Sequence, residues 1–333
     1  MDSVRIGVVG TGHLGTLHAK MLSGIKGVTL TRVYDTDQDK AARVAKDLGT
    51  AASGSLDELL GTVDAVSIAT TTSAHYDVAR KALQRGVHVF IEKPITDTIE
   101  RGEELVALAA QRSVKIQVGH IERFNPAILS LDQFPLKPMF VECHRLAQFN
   151  PRGTDVAVVL DLMIHDIDLI MSLVGSDVER VEASGVAVVS ESIDIANARL
   201  QFTNGCVANV TASRISQNKM RKIRLFQQDA YISIDLLQGQ SEVFRLVDEG
   251  DQSAKPTMLL GKIDQGSRKR MIVYEQPDAK EVNALKFELE LFAQSVRTGS
   301  EPPVSGRDGV QALRVAQMIM KAIESHQSRI GSR

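Results

Sequence analysis

The run Gly10-Thr11-Gly12-His13-Leu14-Gly15 follows a short apolar stretch, Arg5-Ile6-Gly7-Val8-Val9, and opens a helical pattern from His13 to Ser23. Glycine at the first, third and sixth places between a strand and a helix restricts what the chain can build. The first glycine permits a tight turn, the second leaves room for a pyrophosphate beside the backbone, and the third lets helix and strand pack closely. The helix N-terminus adds N–H donors for phosphate. Taken alone, the pattern is a glycine-rich turn. Its context is more specific, because a second strand, Val28 to Tyr34, ends in Asp35, twenty residues after Gly15. A carboxylate there can accept from both adenosine ribose hydroxyls. It would repel a 2′-phosphate, and no arginine follows in Thr36-Asp37-Gln38. NAD is therefore expected in preference to NADP, with Gly10, Gly12, His13, Leu14, Gly15 and Asp35 as its contacts. The alternative for Asp35 is a helix cap or turn former.

Strands and helices go on alternating. Asp37 to Leu48 is helical in pattern, and Ser55 to Glu58 has the spacing of a capping box. The strand Ala65 to Ala69 runs into Thr70-Thr71-Thr72-Ser73-Ala74-His75 and a helix to about Arg85. Val87-His88-Val89-Phe90-Ile91 reads as a buried strand that stops at Glu92-Lys93-Pro94, since proline has no N–H for a ladder. A helix from Thr98 to Arg112 and a strand from Lys115 to Val118 follow. Such units predict a parallel sheet covered on both faces, a doubly wound α/β domain. Ligands bind such sheets at the carboxyl ends of the strands. That makes Lys93 the central candidate for chemistry, with Thr70, Thr71, His75 and Glu92 as further cofactor contacts. A histidine in His75's position can instead merely satisfy a loop carbonyl.

With 333 residues the chain can hold two domains with real cores. The formal net charge of −2 gives no bulk attraction to nucleic acid or an anionic membrane. Local basic clusters, Arg221-Lys222-Arg224 and Arg268-Lys269-Arg270, read as solvated strand or loop edges, or as contacts to a phosphate-bearing substrate. Two distant cysteines, Cys143 and Cys206, argue against a disulfide scaffold and fit a reducing cytoplasm. The opening residues run directly into a strand, with no signal peptide pattern, and no apolar run has the length to span a bilayer.

Several residues resemble a known family. Ala82-Leu83, Gly86, His88-Val89 and Glu92-Lys93-Pro94 match one of its signatures; Gly119, Arg123-Phe124-Asn125 and Pro126 match another. Phe292, Gly299, Pro302 and Gly306 to Leu313 match its C-terminal pattern. The chain is similar to the glucose–fructose oxidoreductase and inositol dehydrogenase (Gfo/Idh/MocA) family over nearly its whole length. The resemblance implies a Rossmann domain, placed at 1–123, and a C-terminal α/β domain, at 124–333. The second domain would carry a large, open, mostly antiparallel sheet that joins subunits into a homodimer or homotetramer. It also implies a cis Lys93–Pro94 bond and a lysine close to both substrate and nicotinamide. Thr71 and Thr72 stand where the family often has proline and asparagine.

In the second half, Gly119 to Asn125 reads as a linker, a helix follows, and Met139 to Leu146 reads as a strand. On a helix through Leu160 to Leu169, Asp161 and His165 share a face and Asp168 lies one turn further. A carboxylate beside a histidine raises its basicity and fixes its tautomer, which suits proton handling. The bland alternative is an amphipathic helix with a solvated acidic face, and a third reading is a metal set; no metal is expected, because hydride transfer with lysine and histidine present needs none. The resemblance implies that His165 exchanges the hydroxyl proton, that Asp161 positions His165 or the substrate, and that Asp168 is structural. The family's glycine-rich approach to this helix is reduced to Gly153. From Val178 to about Tyr274 strands dominate, with a hairpin turn at Asn204-Gly205 and a polar loop from Asp248 to Gly266. Helices from Val282 to Arg297 and Arg307 to Ser325 end the chain, with frayed last residues.

The chain is thus expected to be an NAD-dependent dehydrogenase acting on a ring carbinol of a sugar or nucleotide sugar. Histidine ordinarily titrates near about 6.5 and lysine near about 10.4. His165 is accordingly the expected proton acceptor, and Lys93 stabilises the developing alkoxide. Gly119 to Pro126 resembles the branch of the family that oxidises the C3 hydroxyl of UDP-N-acetylglucosamine, with His120 and Arg123 facing the substrate or, alternatively, bracing a hinge. An inositol or hexose is the other substrate reading. A non-catalytic NAD redox sensor fits the glycine loop equally well but has no use for Lys93, Asp161 and His165.

Overall fold

The computed structural model describes residues 3–150, 156–249, 257–265, 268–279 and 281–331. Gly153 and residues 250–256 of the polar stretch after Asp248 lie outside the described residues. The chain divides into two compact units, Met1–Ile121 with Asn283–Arg314, and Glu122–Val282 with Val315–Arg333. A contiguous division at 123/124 puts Asn283–Arg314 in the second unit; its contacts place it in the first.

The first unit alternates strand and helix: β1 (Val4–Val9), α1 (His13–Ser23), β2 (Val28–Tyr34), α2 (Gln38–Leu48), β3 (Ala51–Ala52), α3 (Leu56–Leu60), β4 (Ala65–Ile68), α4 (Thr72–Gln84), β5 (His88–Glu92), α5 (Ile99–Arg112) and β6 (Ile116–Gly119). The strands pair in parallel in the order β3-β2-β1-β4-β5-β6. The order reverses beside β1, where doubly wound sheets bind ligands. Capping sets several helix starts. Asp37 accepts from the Lys40 N–H, Ser55 from that of Glu58, and Thr98 from that of Arg101. Glu58 reaches back to the Gly54 N–H, completing the box one residue earlier than its usual target. A further helix, which becomes α8 in chain order, covers β1 and α1. It buries Leu289 and Phe292 against Ile6, Leu22 and Phe90, with the Phe90 and Phe292 rings edge to face at 5.7 Å.

The second unit begins in a short 3-10 turn, Ile121–Phe124, of which Ile121 belongs to the first unit. It continues through α6 (Pro126–Leu129), β7 (Phe140–Leu146), a π-helical turn (Val159–Met163) and α7 (Ile164–Val174). Then come β8 (Val178–Val186), β9 (Ile195–Phe202), β10 (Val207–Ser213), β11 (Met220–Phe226), β12 (Ala230–Asp235), β13 (Gln240–Asp248), β14 (Met258–Gln265) and β15 (Arg268–Glu275). The nine strands are ordered β14-β15-β13-β12-β11-β7-β10-β9-β8, antiparallel except for the pair β7 and β10. α8 (Ala284–Thr298) and α9 (Gly306–Gly331) complete the chain. The Asn204-Gly205 turn joins β9 to β10, with Gly205 at φ 87° where a side chain would be strained.

Two expectations need correction, and one gains detail. The polar stretch to Gly266 is not all loop, because Met258–Gln265 pairs with β15 as an edge strand; an edge strand tolerates the charges that made it look like a loop. α9 continues to Gly331 rather than fraying after Ser325. The strand pleat splits the Arg221-Lys222-Arg224 cluster: Arg221 shares the face of buried Ile223 and Leu225, while Lys222 and Arg224 point the other way, to Asp235 and Glu142. On that other face a row of half-buried rings crosses five strands, Phe140, Phe226, Tyr231, Phe244 and Tyr274, with centroids 5.1–5.6 Å apart.

Candidate active site

In the first unit the glycine loop has the geometry its spacing implies. Gly10 sits at φ +90°, and a Cβ there would lie 2.6 Å from the Ala69 carbonyl oxygen. A Cβ on Gly15 would fall 1.7 Å from the Gly10 oxygen, so only glycine lets α1 start this close to β1. A Cβ on Gly12 would meet nothing within 4 Å, which leaves open space above the loop. The first turn of α1, beginning at His13 and Leu14, has no acidic residue and no side-chain cap. Its N–H groups and dipole therefore face outward for an anion.

Asp35 is fixed at the end of β2. Its Oδ2 accepts from the Thr11 N–H at 2.6 Å and the Thr11 hydroxyl at 3.0 Å, and its Oδ1 from the Asp37 N–H at 2.9 Å. Partial burial pushes this carboxyl up, but those donors and the Lys40 charge outweigh it and hold Asp35 below the usual carboxylate range. It is an ionised acceptor beside the glycine loop. These residues fit a dinucleotide.

At the end of β4 the Thr70 hydroxyl donates to the Thr71 carbonyl at 3.3 Å, and the Thr71 and Ser73 hydroxyls lie 3.2 Å apart. His75 is buried, its Nδ1 2.9 Å from the Pro94 oxygen and its Nε2 3.3 Å from the Thr70 oxygen. Burial pushes its pKa down despite both carbonyls. A neutral ring has one N–H, and the shorter contact assigns it to Pro94. His75 thus ties the loop after β4 to the turn at Lys93, whose bond to Pro94 is cis.

Beneath Lys93 lies a polar chain absent from the sequence reading. Ser67 Oγ is 2.8 Å from His18 Nδ1, and His18 Nε2 is 3.0 Å from Glu92 Oε1. His18 is fully buried on α1 with Gly15, Ala19 and Leu22. Its signal was a polar residue on the apolar face, at helical spacing from those three. Glu92 is therefore held from below, and it fills the space beside Gly119, where a Cβ would sit 2.9 Å from its oxygen. His120, just past β6, is buried.

In the second unit the expected helix exists, but its first turn is π-helical. Asp161 lies in that turn and His165 in the first turn of α7; both are half-buried. Single π turns are frequent at functional sites. Beyond them the acidic face is not solvated. Arg123 donates to both oxygens of Asp168 at 2.8 and 2.6 Å, and Arg145 to both oxygens of Asp166 at 2.8 Å. Asp166 and Asp168 are 1% and 2% exposed, so both pairs are structural clamps on α7. This engages Arg123, an expected substrate contact, with Asp168. Among the described residues no three His, Cys, Asp or Glu side chains converge as metal ligands.

Comparison with known proteins agrees with this architecture. Residues 4–120 match the model of an oxidoreductase family with an NAD-binding Rossmann fold, and residues 146–330 its C-terminal α/β domain. The chain is 37% identical over 330 residues to UDP-N-acetylglucosamine 3-dehydrogenase of Acidithiobacillus ferrooxidans, covering 99% of this chain and 100% of that one. It is 26% identical to myo-inositol 2-dehydrogenase of Thermotoga maritima, covering 98% of each. A crystal form of the Acidithiobacillus enzyme superposes with a TM-score of 0.87 at 36% identity, covering 98% and 99% of the two chains. With a parallel sheet carrying the glycine loop, a lysine at the end of β5 and both family models matched in order, the chain belongs to the Gfo/Idh/MocA family of NAD-binding oxidoreductases.

Proposed function

We propose that this protein is an NAD-dependent dehydrogenase that oxidises a ring hydroxyl of a nucleotide sugar, the C3 hydroxyl of UDP-N-acetylglucosamine being the favoured target. The observation that carries the reading is the 37% identity to a UDP-N-acetylglucosamine 3-dehydrogenase over the full length of both chains. Gly10, Gly12, Gly15, His13 and Leu14 would hold the pyrophosphate, Asp35 the adenosine ribose, and Thr70, Thr71, His75 and Glu92 the nicotinamide end. NAD rather than NADP follows from Asp35, whose ionised carboxylate would repel a 2′-phosphate. NAD, when bound, supplies the hydride acceptor.

The chain's own side chains have to manage charge and proton. Lys93 would orient the hydroxyl and stabilise negative charge as it develops on the oxygen. His165 would take the hydroxyl proton, and Asp161 would set its tautomer or hold the sugar. His120 would contact the substrate. Arg123, through Asp168, would keep α7 in place for His165. Subunits would associate through the sheet face bearing the aromatic row, since rings at half burial suit a partner surface. Both cysteines are free and buried, which fits a cytoplasmic enzyme. Among the described residues no helix is long and apolar enough to cross a membrane.

The test is incubation with UDP-N-acetylglucosamine and NAD, coupled to an aminotransferase that removes the keto product. Appearance of the NADH absorbance band is the expected result; none with this substrate, but a rise with free inositol, would overturn the substrate assignment.

A further inference from the structure

The second unit contains a cavity of about 300 Å³ whose lining includes Asp161 and four cationic side chains, Arg145, Arg214, Lys219 and Arg221. Its volume is at the lower end of the roughly 300–1,000 Å³ usual for small-molecule sites, room for part of a larger ligand. Arg145 and Arg221 lie directly opposite each other on β7 and β11, on the same face of the sheet. Like charges in that relation are destabilising. Here they are held together from behind: Glu122 Oε1 accepts from Arg145 at 2.9 Å and from Arg221 at 3.1 Å, while Asp166 takes the rest of the Arg145 fork. Arg214 is buried, its guanidinium donating to the Val156 and Ile193 carbonyls and lying 3.7 Å from Asp194. Lys219 and Arg221 are exposed. The carboxylates thus stand behind the arginines, and among the described residues the lining carries four cations against one carboxylate.

A core built for stability alone has little use for this arrangement, because apolar replacements of buried ion pairs are often as stable or more so. Exposed Lys219 and Arg221 are well suited to phosphate oxygens, with the buried Arg145 charge held behind them by Glu122 and Asp166. We infer that this cavity binds the diphosphate of a nucleotide sugar, with the sugar directed to Asp161. The inference rests on the proposed nucleotide-sugar reading and adds its selectivity. A charged diphosphate is required for binding, and uncharged inositols and hexoses, which bring no negative charge to exposed Lys219 and Arg221, are rejected.

Titration calorimetry without NAD tests this independently of turnover. UDP and inorganic pyrophosphate are the ligands, and free N-acetylglucosamine is the uncharged control. UDP should bind, pyrophosphate should compete with it, N-acetylglucosamine should not bind, and added salt should weaken UDP binding. Lys219→Ala and Arg221→Gln should each weaken UDP binding by about tenfold, and the double variant by about a hundredfold. Lys321→Ala, an exposed charge outside the lining, should leave it unchanged. Melting temperatures check that the variants are folded; exposed Lys219 makes no buried pair. UDP affinity equal in wild type and double variant, or no UDP binding, overturns the inference even if UDP-N-acetylglucosamine is turned over. UDP binding that both substitutions weaken, without any turnover, sustains the cavity assignment and refutes the dehydrogenase reading instead.

Discussion

Replacing Asp166 by asparagine tests whether the charges beneath β7 are held as obligate pairs. Arg145 and Asp166 are 3% and 1% exposed, and their two hydrogen bonds are both 2.8 Å. Burial works against the Arg145 charge, but Asp166 and Glu122 outweigh it and raise its pKa further. A guanidinium is not deprotonated in proteins, so Arg145 stays charged in the variant even without Asp166. Asparagine offers one acceptor and no charge, leaving Arg145 with Glu122, which Arg221 shares. Breaking a buried pair from one side costs about 3–5 kcal/mol. At about 2–4 °C per kcal/mol for a domain of this size, the melting temperature should fall by roughly 6–20 °C. Removing both partners together, as Arg145→Met with Asp166→Leu, should recover most of that loss, because no uncompensated charge remains. Thermal and urea unfolding followed by circular dichroism would measure both. An Asp166→Asn melt within ~2 °C of wild type, or a double variant less stable than the single one, would refute the reasoning.

Asp35→Ala should weaken NAD binding by about ten- to a hundredfold, the worth of charge-assisted hydrogen bonds, and shift preference toward NADP; unchanged NAD affinity in a fluorescence titration would count against Asp35 as the ribose acceptor. Phe292→Ala, which empties the space beside Phe90 in the first unit, should cost about 3–5 kcal/mol, seen as a lower urea midpoint. His75 has a pKa depressed by burial, so between its folded and unfolded values the unfolded chain binds a proton that the fold refuses. Its contribution is present above about 6.5 and is lost as pH falls below that value. His75→Gln should consequently flatten the decline of melting temperature just below pH 6.5, and parallel declines would argue that the ring is not held neutral.

What sequence made legible was whatever leaves a local mark. Gly10, Gly12 and Gly15 carry their backbone requirements in their identity, Asn204-Gly205 carries its turn, and Asp37, Ser55 and Thr98 announce their helices. Long-range pairing leaves no such mark. Arg123 meets Asp168 across 45 positions and Arg145 meets Asp166 across 21, so the acidic residues of α7 could be read as a solvated face. The π turn at Asp161 arises from a slip in backbone hydrogen bonding that no residue type dictates. β14 looked like a loop because an edge strand keeps its charges. His18 was readable in principle, as a polar residue on the buried face of α1, but its partners Ser67 and Glu92 come from two other strands.

The most direct measurement uses UDP-N-acetylglucosamine with deuterium at C3 and mass spectrometry of the nicotinamide after a single turnover. Deuterium should appear on the cofactor with the wild-type protein. It should be absent with Lys93→Met, which still binds NAD, and greatly slowed with His165→Asn. Undiminished transfer in Lys93→Met, or reduced cofactor without deuterium in the wild type, would contradict the assignment of Lys93 and of the C3 hydroxyl respectively.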